Sequence, residues 1–411
     1  MDTETTAPDP NEQHNVTVNT VNGLLKGAGS QLVNPFLGIN AIRLGAPNID
    51  LGIISAIPYL AGGFAALLSP WLVHRRNLHK TTIFLFFIAR LSIILFALID
   101  WTPGLHRAAL YLVLAIVFSN LPAALATLSW QSMTTSLFSP RTRSTAVMWR
   151  QWSMSGIGVV AVLLGGWAID HNPGTHGYIV LYILGALVGM AEVAVYRHFR
   201  PLDTPLDLPQ STWRSALPVI WRGISLRRFI LASILFYFGW LMLWPAALRY
   251  QVSVDHATNG WMALYTATNA IFMLVALPIW RRLNGRLPTA ALLPWAALLM
   301  CLTPAIYLLH PSLSVIIVAN VTGGLAGAGF NLLIYVRLME VVPHNLRTMA
   351  VGLNTVATGL MGGLGALSAV ALIRWDSIMA AFFWATLLRV IGGGLFWWAS
   401  GRKKPSVSSP Q

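Results

Sequence analysis

Charged side chains are scarce in this sequence. Asp, Glu, Lys and Arg make up 10% of its 411 residues, whereas apolar residues make up 56% and the mean hydropathy is +0.64. An ordinary water-soluble domain does not have this composition, because too little charged surface is left to face water. The composition therefore indicates a protein whose natural solvent is lipid.

Cysteine is almost absent as well. Cys301 is the only one, so the chain can form neither an internal disulfide nor a cysteine metal cluster, and packing is its expected role. The sequence also lacks a Walker motif, a Ser-His-Asp set and the spacing of metal ligands. We therefore expect neither an enzyme nor a cofactor.

What the sequence contains instead is a series of long apolar runs. About 20 helical residues cross roughly 30 Å of hydrocarbon, and unbroken apolar runs favour helices over the alternating strands of a barrel. Twelve spans are predicted, near residues 17–42, 50–73, 80–99, 107–136, 144–169, 177–198, 228–250, 258–280, 288–309, 312–338, 347–373 and 377–400.

A proline-rich and arginine-rich segment separates the two sets of six spans. We predict that residues 199–227 form a central cytoplasmic linker between an N-terminal unit, 17–198, and a C-terminal unit, 228–400. Residues 1–16 are polar and lack the basic start and apolar core of a signal peptide, which predicts a disordered cytoplasmic N-terminus. Residues 401–411 are expected to form a cytoplasmic tail.

The net charge of +14 raises the question of nucleic-acid binding, and the placement of the basic residues argues against it. They lie in short loops on one side of the predicted spans, as the positive-inside rule requires of cytoplasmic loops. This asymmetry predicts a multi-pass protein of the inner cell membrane with both termini in the cytoplasm. The residues on that side include Arg75, Arg76, Arg141, Arg143, Arg197, Arg200, Arg281, Arg282, Arg286, Arg347 and Arg402.

The two sets of spans also repeat each other. Gly52 in span 2 recurs as Gly260 in span 8, and Pro70 recurs as Pro278, both displaced by 208 residues. The string RSTAV that begins at Arg143 is similarly answered by RTMAV after span 10. Such internal repeats are typical of secondary transporters.

Three segments resemble a known family. LSPWLVHRRNLHK, after span 2, is similar to the cytoplasmic signature G-x-L-x-D-R-x-G-R-[KR] of the major facilitator superfamily. MEVVPHNLRTMAVGL, entering span 11, is similar to its E-x-x-P-x-x-x-R-[GT] junction, and SQLVNPFLGINAIRLGAPNIDLGIISAIPYLAGG resembles its first two helices. The resemblance implies an all-α membrane protein of twelve transmembrane helices in two pseudo-symmetric six-helix bundles.

The chain departs from the family's patterns at several points. His74 stands at the signature's acidic position, and Pro70 and Asn77 stand at its glycine positions. Span 5 lacks the Gly-Pro pair of drug antiporters, and the P-E-S-P-R string of sugar porters is absent after span 6. The subfamily therefore stays open.

The family layout implies that spans 1, 4, 7 and 10 line a central cavity and that spans 2, 5, 8 and 11 join the halves. Polar and aromatic side chains in the spans are therefore candidates for contact with substrate. They are Asn22, Lys26, Gln31, Asn34, Asn120, Trp130, Gln131, Arg150, Tyr237, Trp240, Trp244, Asn269, Asn331 and Tyr335.

Span 1 is the most polar of the twelve. Spacings of three and four residues place Asn19, Asn22, Lys26 and Ser30 on one helix face, which we expect to line the cavity because unpartnered polar groups are costly in hydrocarbon. Two interpretations of Lys26 remain open. It binds an anionic or hydroxyl-bearing substrate, or its side chain extends to the cytoplasmic surface.

The aromatic candidates also allow two interpretations. Trp and Tyr combine a broad apolar face with one hydrogen-bonding group, which suits amphipathic or ring-bearing ligands. The same residues are enriched near both interfaces of any membrane protein, where they contact lipid headgroups rather than substrate.

Three further charges lie deep in the predicted spans. Arg90 in span 3 and Glu192 in span 6 have similar depths, which predicts an ion pair on the supporting face; a protonatable coupling role for Glu192 is the alternative. Arg389 in span 12 has no acidic residue at its depth, so we expect it to contact backbone carbonyls or lipid headgroups rather than substrate.

The resemblance also implies an intracellular gate. Glu340 is expected near Arg281, Arg282 and Arg286, where family members cluster acids with arginines. The signature loops on the same side contain His74, Arg75, Arg76, Arg143 and Arg347.

These features favour a secondary active transporter that works by alternating access. Export of small amphipathic molecules is the preferred interpretation, and uptake of a polar metabolite such as a sugar is the alternative. A membrane sensor or lipid-handling protein of the same fold is a third. The expected partners are a small molecule and the lipid bilayer, with proton coupling open, no nucleic acid, and a monomeric state.

Overall fold

The fold consists of long helices joined by short connections. The computed structural model describes residues 10–68, 78–102, 106–172, 174–200, 223–342 and 346–400. In these ranges the helices are α1 Pro10–Arg43, α2 Asn48–Leu67, α3 Leu78–Leu91 continued by Ile93–Trp101, α4 Ala108–Leu137, α5 Pro140–His171, α6 His176–Val195, α7 Ile224–Arg249, α8 Asn259–Asn284, α9 Thr289–Leu299 continued by Leu302–Tyr307, α10 Leu313–Val341, α11 Arg347–Trp375 and α12 Ile378–Ser400.

Eleven of the twelve helices in the described ranges are long and apolar enough to cross a membrane. The helix outside this group is α1, whose asparagines and Lys26 lower its hydropathy. Three of these asparagines, Asn15, Asn19 and Asn22, have no exposed surface. This polar face of α1 is therefore packed inside protein.

α1 begins at Pro10, several residues before the start predicted from its apolar run. Polar contacts hold this first turn against the rest of the chain. Glu12 accepts hydrogen bonds from the backbone N–H of Ser139 at 2.5 Å and from the hydroxyl of Thr142 at 3.1 Å. Asn15 bonds both the N–H and the carbonyl of Arg200. Residues 10–16 are thus helical, where hydropathy alone predicts a disordered segment.

α9 is interrupted between Leu299 and Leu302. Pro304 has no backbone N–H, so the carbonyl of Met300, four residues earlier, loses its helical donor. The guanidinium of Arg389 in α12 supplies the missing donor, with Nη1 2.8 Å from the Met300 carbonyl oxygen. A side chain of α12 therefore supplies the hydrogen bond that the interruption removes from α9.

The helices pack mainly within an N-terminal half, α1–α6, and a C-terminal half, α7–α12. α1 packs against α5 and α6, while α7 packs against α11 and α12, and α8 against α10. Between the halves, α2 packs along α11 and α5 packs along α8. We call the end where α1 begins and α12 ends the arginine-rich end, and the other the opposite end.

The apolar cores show that the halves meet at the opposite end. There, Ala263 and Ala267 of α8 belong to the same core as Phe36, Ile116 and Tyr182 of the N-terminal half. At the arginine-rich end, among the residues that the structure describes, the core around Phe86 and Phe138 contains only N-terminal residues, and that around Phe229 and Phe330 only C-terminal ones. α4 and α5 likewise lack extended packing against α10 and α11 in the described ranges.

The repeated glycines Gly52 and Gly260 both lie where the halves touch. A methyl group at Gly52 would come within 2.6 Å of Val370 Cγ2 in α11, and one at Gly260 within 2.9 Å of Asp170 Oδ2 in α5. Each glycine stands near the start of its helix and allows a close approach by the other half. The sequence repeat thus corresponds to a pair of equivalent contacts.

Candidate functional site

Exposed polar and aromatic side chains lie on one face of α10 toward the arginine-rich end. Tyr335 of α10 is 58% exposed, and Asn331, one turn earlier, is also exposed. One further turn away, a methyl group at Gly327 would meet no atom within 4 Å, so this face of α10 borders open space. The sequence candidates that are accessible in this way are Asn34, Gln131, Trp244, Asn331 and Tyr335.

An aromatic cluster forms the adjoining wall of the C-terminal half. Tyr237 and Trp240 of α7 have ring centroids 5.1 Å apart, and Trp240 meets Phe330 of α10 edge to face at 5.6 Å. Trp244 follows Trp240 by four residues and is 49% exposed. Leu248, a turn further, touches Gly38 of α1, so this side of α7 faces the N-terminal half.

Asn19 and Asn22 differ from the expectation that their stripe lines the central cavity. Both have no exposed surface, and they point into the N-terminal half. Asn19 donates to the Ala146 carbonyl at 2.9 Å, and Asn22 accepts from Arg150 Nε at 3.3 Å and Nη2 at 3.1 Å. The reason is that α5 contributes its own polar groups, which offer these amides partners inside the bundle.

Arg150 and Trp130 are also largely buried in the N-terminal half. Each is 7% exposed. The Arg150 guanidinium carbon lies 3.9 Å from the Trp130 ring centroid, a cation–π contact that fixes the charge over the ring face. The sequence offered both residues as separate ligand contacts and did not indicate that they stack.

Four other candidates are half-buried. Asn120 donates to Ile116 in its own helix, and Asn269 donates to the Asn320 carbonyl of α10 at 3.3 Å. The Gln31 amide oxygen is buried without a hydrogen-bond partner among the described residues. Lys26 places its ammonium 5.6 Å from the Phe86 ring centroid.

Arg90 and Glu192 form an ion pair across α3 and α6. Glu192 Oε2 lies 2.6 Å from Arg90 Nη2 and 2.9 Å from Nε, and the Glu192 side chain has no exposed surface. Gly189 makes room for this contact, because a methyl group there would lie 2.6 Å from Arg90 Cδ. Glu192 Oε1 is left without a hydrogen-bond partner in the described part of the chain.

Arg389 is 1% exposed and bonds three backbone carbonyls. Nε donates to Gly239 at 3.3 Å, Nη1 to Met300 at 2.8 Å and Nη2 to Trp240 at 3.0 Å. These bonds tie α12 to α7 and α9, and they leave the side chain away from the space between the halves.

The arrangement around Glu340 differs from the implied gate. Glu340 pairs with Arg337 at 3.0 Å and accepts from the Thr289 hydroxyl at 2.5 Å. Arg281, Arg282 and Arg286 are exposed and form no ion pair with it in the described ranges. The short spacing of Arg337 and Glu340 on one helix favours the local pair.

The remaining candidates for the gate belong to the signature loops. His74, Arg75 and Arg76 lie outside the described residues. Arg143 donates to the Phe138 carbonyl at 3.2 Å, and Arg347 is the first residue of α11.

A contact that the sequence did not reveal joins the halves at the opposite end. Asp170, near the end of α5, accepts from the backbone N–H of Asn259 at 3.0 Å and of Gly260 at 2.7 Å. The Asn259 amide also donates to Asp170 at 2.9 Å and accepts from the Tyr178 hydroxyl at 2.7 Å. A carboxylate suits the first turn of α8, where backbone N–H groups are free and the helix dipole is positive. We call this contact the Asp170 latch.

The family model of the Major Facilitator Superfamily matches residues 20–244, more than half of the chain. The chain belongs to the Major Facilitator Superfamily. The residues matched to this superfamily include all of α2–α6 and most of α1 and α7. A comparison with curated proteins found no match.

Solved structures of superfamily transporters share the fold of this chain. A bacterial homologue of the human lysosomal transporter Spinster, inward-facing and unoccupied, has 15% identity and a TM-score of 0.71, covering 97% of this chain and 100% of its own. A mutant of the nucleoside transporter NupG has 12% identity and a TM-score of 0.74, covering 94% and 100%. A D-xylose–proton symporter has 14% identity and a TM-score of 0.70, covering 94% and 97%. Identities this low establish the fold alone.

Proposed function

We propose that this chain is a secondary active transporter that exports small amphipathic molecules by alternating access. In this proposal all twelve helices cross the inner membrane, the arginine-rich end faces the cytoplasm, and the two halves move as six-helix bundles. The structure then represents the state that is open to the cytoplasm. Movement of one half against the other around a midplane site is the general mechanism of such folds.

The observation that carries the proposal is the difference between the two ends. At the opposite end α5 meets α8 through the Asp170 latch and through Gly166, where a methyl group would lie 2.5 Å from Ala263 Cβ. At the arginine-rich end the cores of the halves are separate. Two bodies that are joined more extensively at one end than at the other are what one state of alternating access requires.

The chemistry of the parted surfaces favours amphipathic ligands. Tyr237 and Trp240 of α7 are half-buried rings, and Asn331 and Tyr335 of α10 are exposed hydrogen-bonding groups. Apolar walls with a few placed polar groups are typical of small-molecule sites.

Transport in inside-out vesicles tests the proposal. The purified chain is reconstituted into proteoliposomes with its arginine-rich end facing outward, which corresponds to the inside-out orientation. Uptake of a panel of ring-bearing amphipathic compounds into these vesicles is followed with and without a pH gradient. We expect gradient-dependent accumulation that Trp244→Ala and Asn331→Ala reduce. Trp375→Ala, an exposed tryptophan at the opposite end, serves as the control and should keep its rate. Binding without flux under any gradient would favour a sensor or lipid-handling protein instead.

Uptake of a polar metabolite is the second candidate. The exposed amides Asn34, Gln131 and Asn331 favour it, because amide groups can bond several hydroxyls of one substrate. Accumulation of a labelled sugar or nucleoside in right-side-out vesicles, with no transport of the amphipathic panel, would select this function.

A further inference from the structure

The interior of the N-terminal half contains more positive than negative charge. Arg90, Arg150 and the carboxylate of Glu192 each lie within electrostatic range of Lys26. In the described ranges Glu192 is the only acidic residue of this group, so three cations face one anion. We call these four residues the charge cluster. Arg150 is ten residues into α5, about 15 Å from its start at the arginine-rich end.

Neither Lys26 nor Arg150 forms an ion pair with an acidic side chain in the described part of the chain. Arg90 uses Nε and Nη2 on Glu192 Oε2. Arg150 bonds the neutral amide of Asn22 and stacks on Trp130, and neither contact supplies negative charge. Lys26 has Phe86 beneath its ammonium and no hydrogen bond or ion pair with a described residue.

A second, independent observation is an unused donor beside these cations. The indole Nε1 of Trp130, the residue on which Arg150 stacks, is buried without a hydrogen-bond partner among the described residues. An indole N–H can only donate, so the atom it lacks is an acceptor. Lys26 likewise has no acceptor among the described residues, and Arg150 has only the neutral amide oxygen of Asn22.

Buried charges without partners are strongly unfavourable, and an ion of opposite sign stabilises them. Lys26 is half-buried, so this member of the charge cluster keeps some exposed surface. We infer that Lys26 and Arg150, with Trp130 Nε1, form a site for an anionic oxygen group. Resting on the proposed function, we assign the carboxylate of an amphipathic organic acid as its occupant during transport.

In this binding mode the two parts of the ligand contact different halves of the protein. The carboxylate lies among the cations of the N-terminal half, and the apolar body extends toward the aromatic wall of Tyr237 and Trp240 in the C-terminal half. A ligand held by both halves would couple their movement, because its contacts change when they rotate.

Binding to the purified full-length protein tests the site. The probes are 1-naphthoate, its neutral analogue 1-naphthamide, and inorganic phosphate, measured by calorimetry and by thermal unfolding. We expect 1-naphthoate to bind and to raise the melting temperature, and 1-naphthamide to do neither. Lys26→Gln and Arg150→Gln should each weaken 1-naphthoate binding at least about tenfold.

Lys80→Gln is the matched control, since Lys80 is an exposed lysine at the start of α3. It should leave binding unchanged. A further readout needs no ligand. Lys26→Gln removes a half-buried charge that has no ion pair, so the ligand-free variant should melt roughly 2 °C or more above the wild type. A lower melting temperature would mean that Lys26 is already paired.

The other outcomes overturn the inference in different ways. Equal binding of 1-naphthamide would show that charge is not recognised, and binding of phosphate without 1-naphthoate would exclude the organic acid. If 1-naphthoate does not bind at all, the inferred anion site is contradicted. Charge-selective binding without flux in vesicles would support the anion site and contradict transport. Flux that does not depend on the carboxylate would support transport and contradict the anion site.

Discussion

The Asp170 carboxylate accepts hydrogen bonds from the backbone N–H of Asn259 and from its side-chain amide. The two residues belong to different halves of the chain, Asp170 to α5 and Asn259 to the start of α8. An anion at a helix N-terminus binds without help from a basic side chain, because free N–H groups and the helix dipole supply the attraction. Such a contact can break cleanly when the halves rotate.

Asp170→Asn should weaken closure of the opposite end. The variant loses the anionic oxygen that Gly260 N–H contacts at 2.7 Å. Hydrogen bonds to charged groups contribute about 1.5–3 kcal/mol, so we expect a roughly 10- to 100-fold shift toward the state open at this end. The rate at which a water-soluble maleimide labels a cysteine at Leu248, in a Cys301→Ala background, measures the shift.

Asp376→Asn is the matched control for the latch, because Asp376 is an exposed acid at the same end. It should leave the labelling rate at position 248 unchanged. If Asp170→Asn also leaves that rate unchanged, the Asp170 latch does not hold the ends together.

Breaking the Arg90–Glu192 pair should destabilise the fold more than breaking an exposed pair. Glu192→Gln leaves Arg90 buried without a counterion, which typically costs about 3–5 kcal/mol. The double variant Arg90→Gln/Glu192→Gln should recover most of that loss. Arg337→Gln, in the pair whose carboxylate partner is 41% exposed, should cost less than about 1 kcal/mol. Urea unfolding in detergent measures all three.

Exchange of the two residues separates a structural role from coupling. If Glu192 only neutralises Arg90, the swapped variant should transport with the same dependence on the pH gradient as the wild type. Loss of gradient dependence in folded Glu192→Gln, with flux retained, would instead assign proton coupling to this carboxylate.

Arg389 should stabilise the fold by replacing the helical hydrogen bond that the Met300 carbonyl lacks. Arg389→Met leaves the Met300 carbonyl without a donor, at a cost of about 1–3 kcal/mol for each buried unsatisfied group. Pro304→Ala restores a backbone N–H four residues after Met300 and should recover part of the loss in the Arg389→Met background. Additive effects of the two substitutions on thermal stability would contradict this connection.

Close packing of α1 on α5 should depend on Gly27. An added methyl group there would collide with the Met154 carbonyl oxygen, and a backbone atom cannot move aside cheaply. Gly27→Ala is expected to lower the melting temperature through strain of about 1–3 kcal/mol. Gly156→Ala, on α5 itself, meets no atom within 4 Å and should be neutral or stabilising by up to about 1 kcal/mol. Similar effects of both would argue against the close approach.

The helices follow closely from the sequence because hydrocarbon length and the need to satisfy the backbone leave few choices. The start of α1 does not, since Glu12 and Asn15 are held by partners in α5 and near the end of α6 that hydropathy cannot reveal. The interruption of α9 has the same origin: Pro304 is visible in the sequence, but Arg389 as its remedy is not.

The residue types of the candidate site could be predicted from the sequence, but the neighbours that their side chains face could not. Spacing places Asn19, Asn22 and Lys26 on one face of α1, yet it does not tell which neighbour that face meets. The answer depends on Arg150, which draws Asn22 into the N-terminal half. The role of Asp170 was hidden for a similar reason, because its partners include backbone N–H groups, which have no sequence signature.

The central claim is that the two ends open and close in opposition, and paired distances test it most directly. Spin labels at Lys80 and Leu287 report the arginine-rich end, and labels at Trp101 and Leu309 report the opposite end; all four residues are exposed. In the Asp170→Asn variant we expect the first distance to shorten and the second to lengthen relative to the protein that keeps Asp170 and carries the same labels. Two distances that stay fixed, or that change in the same direction, would contradict alternating access.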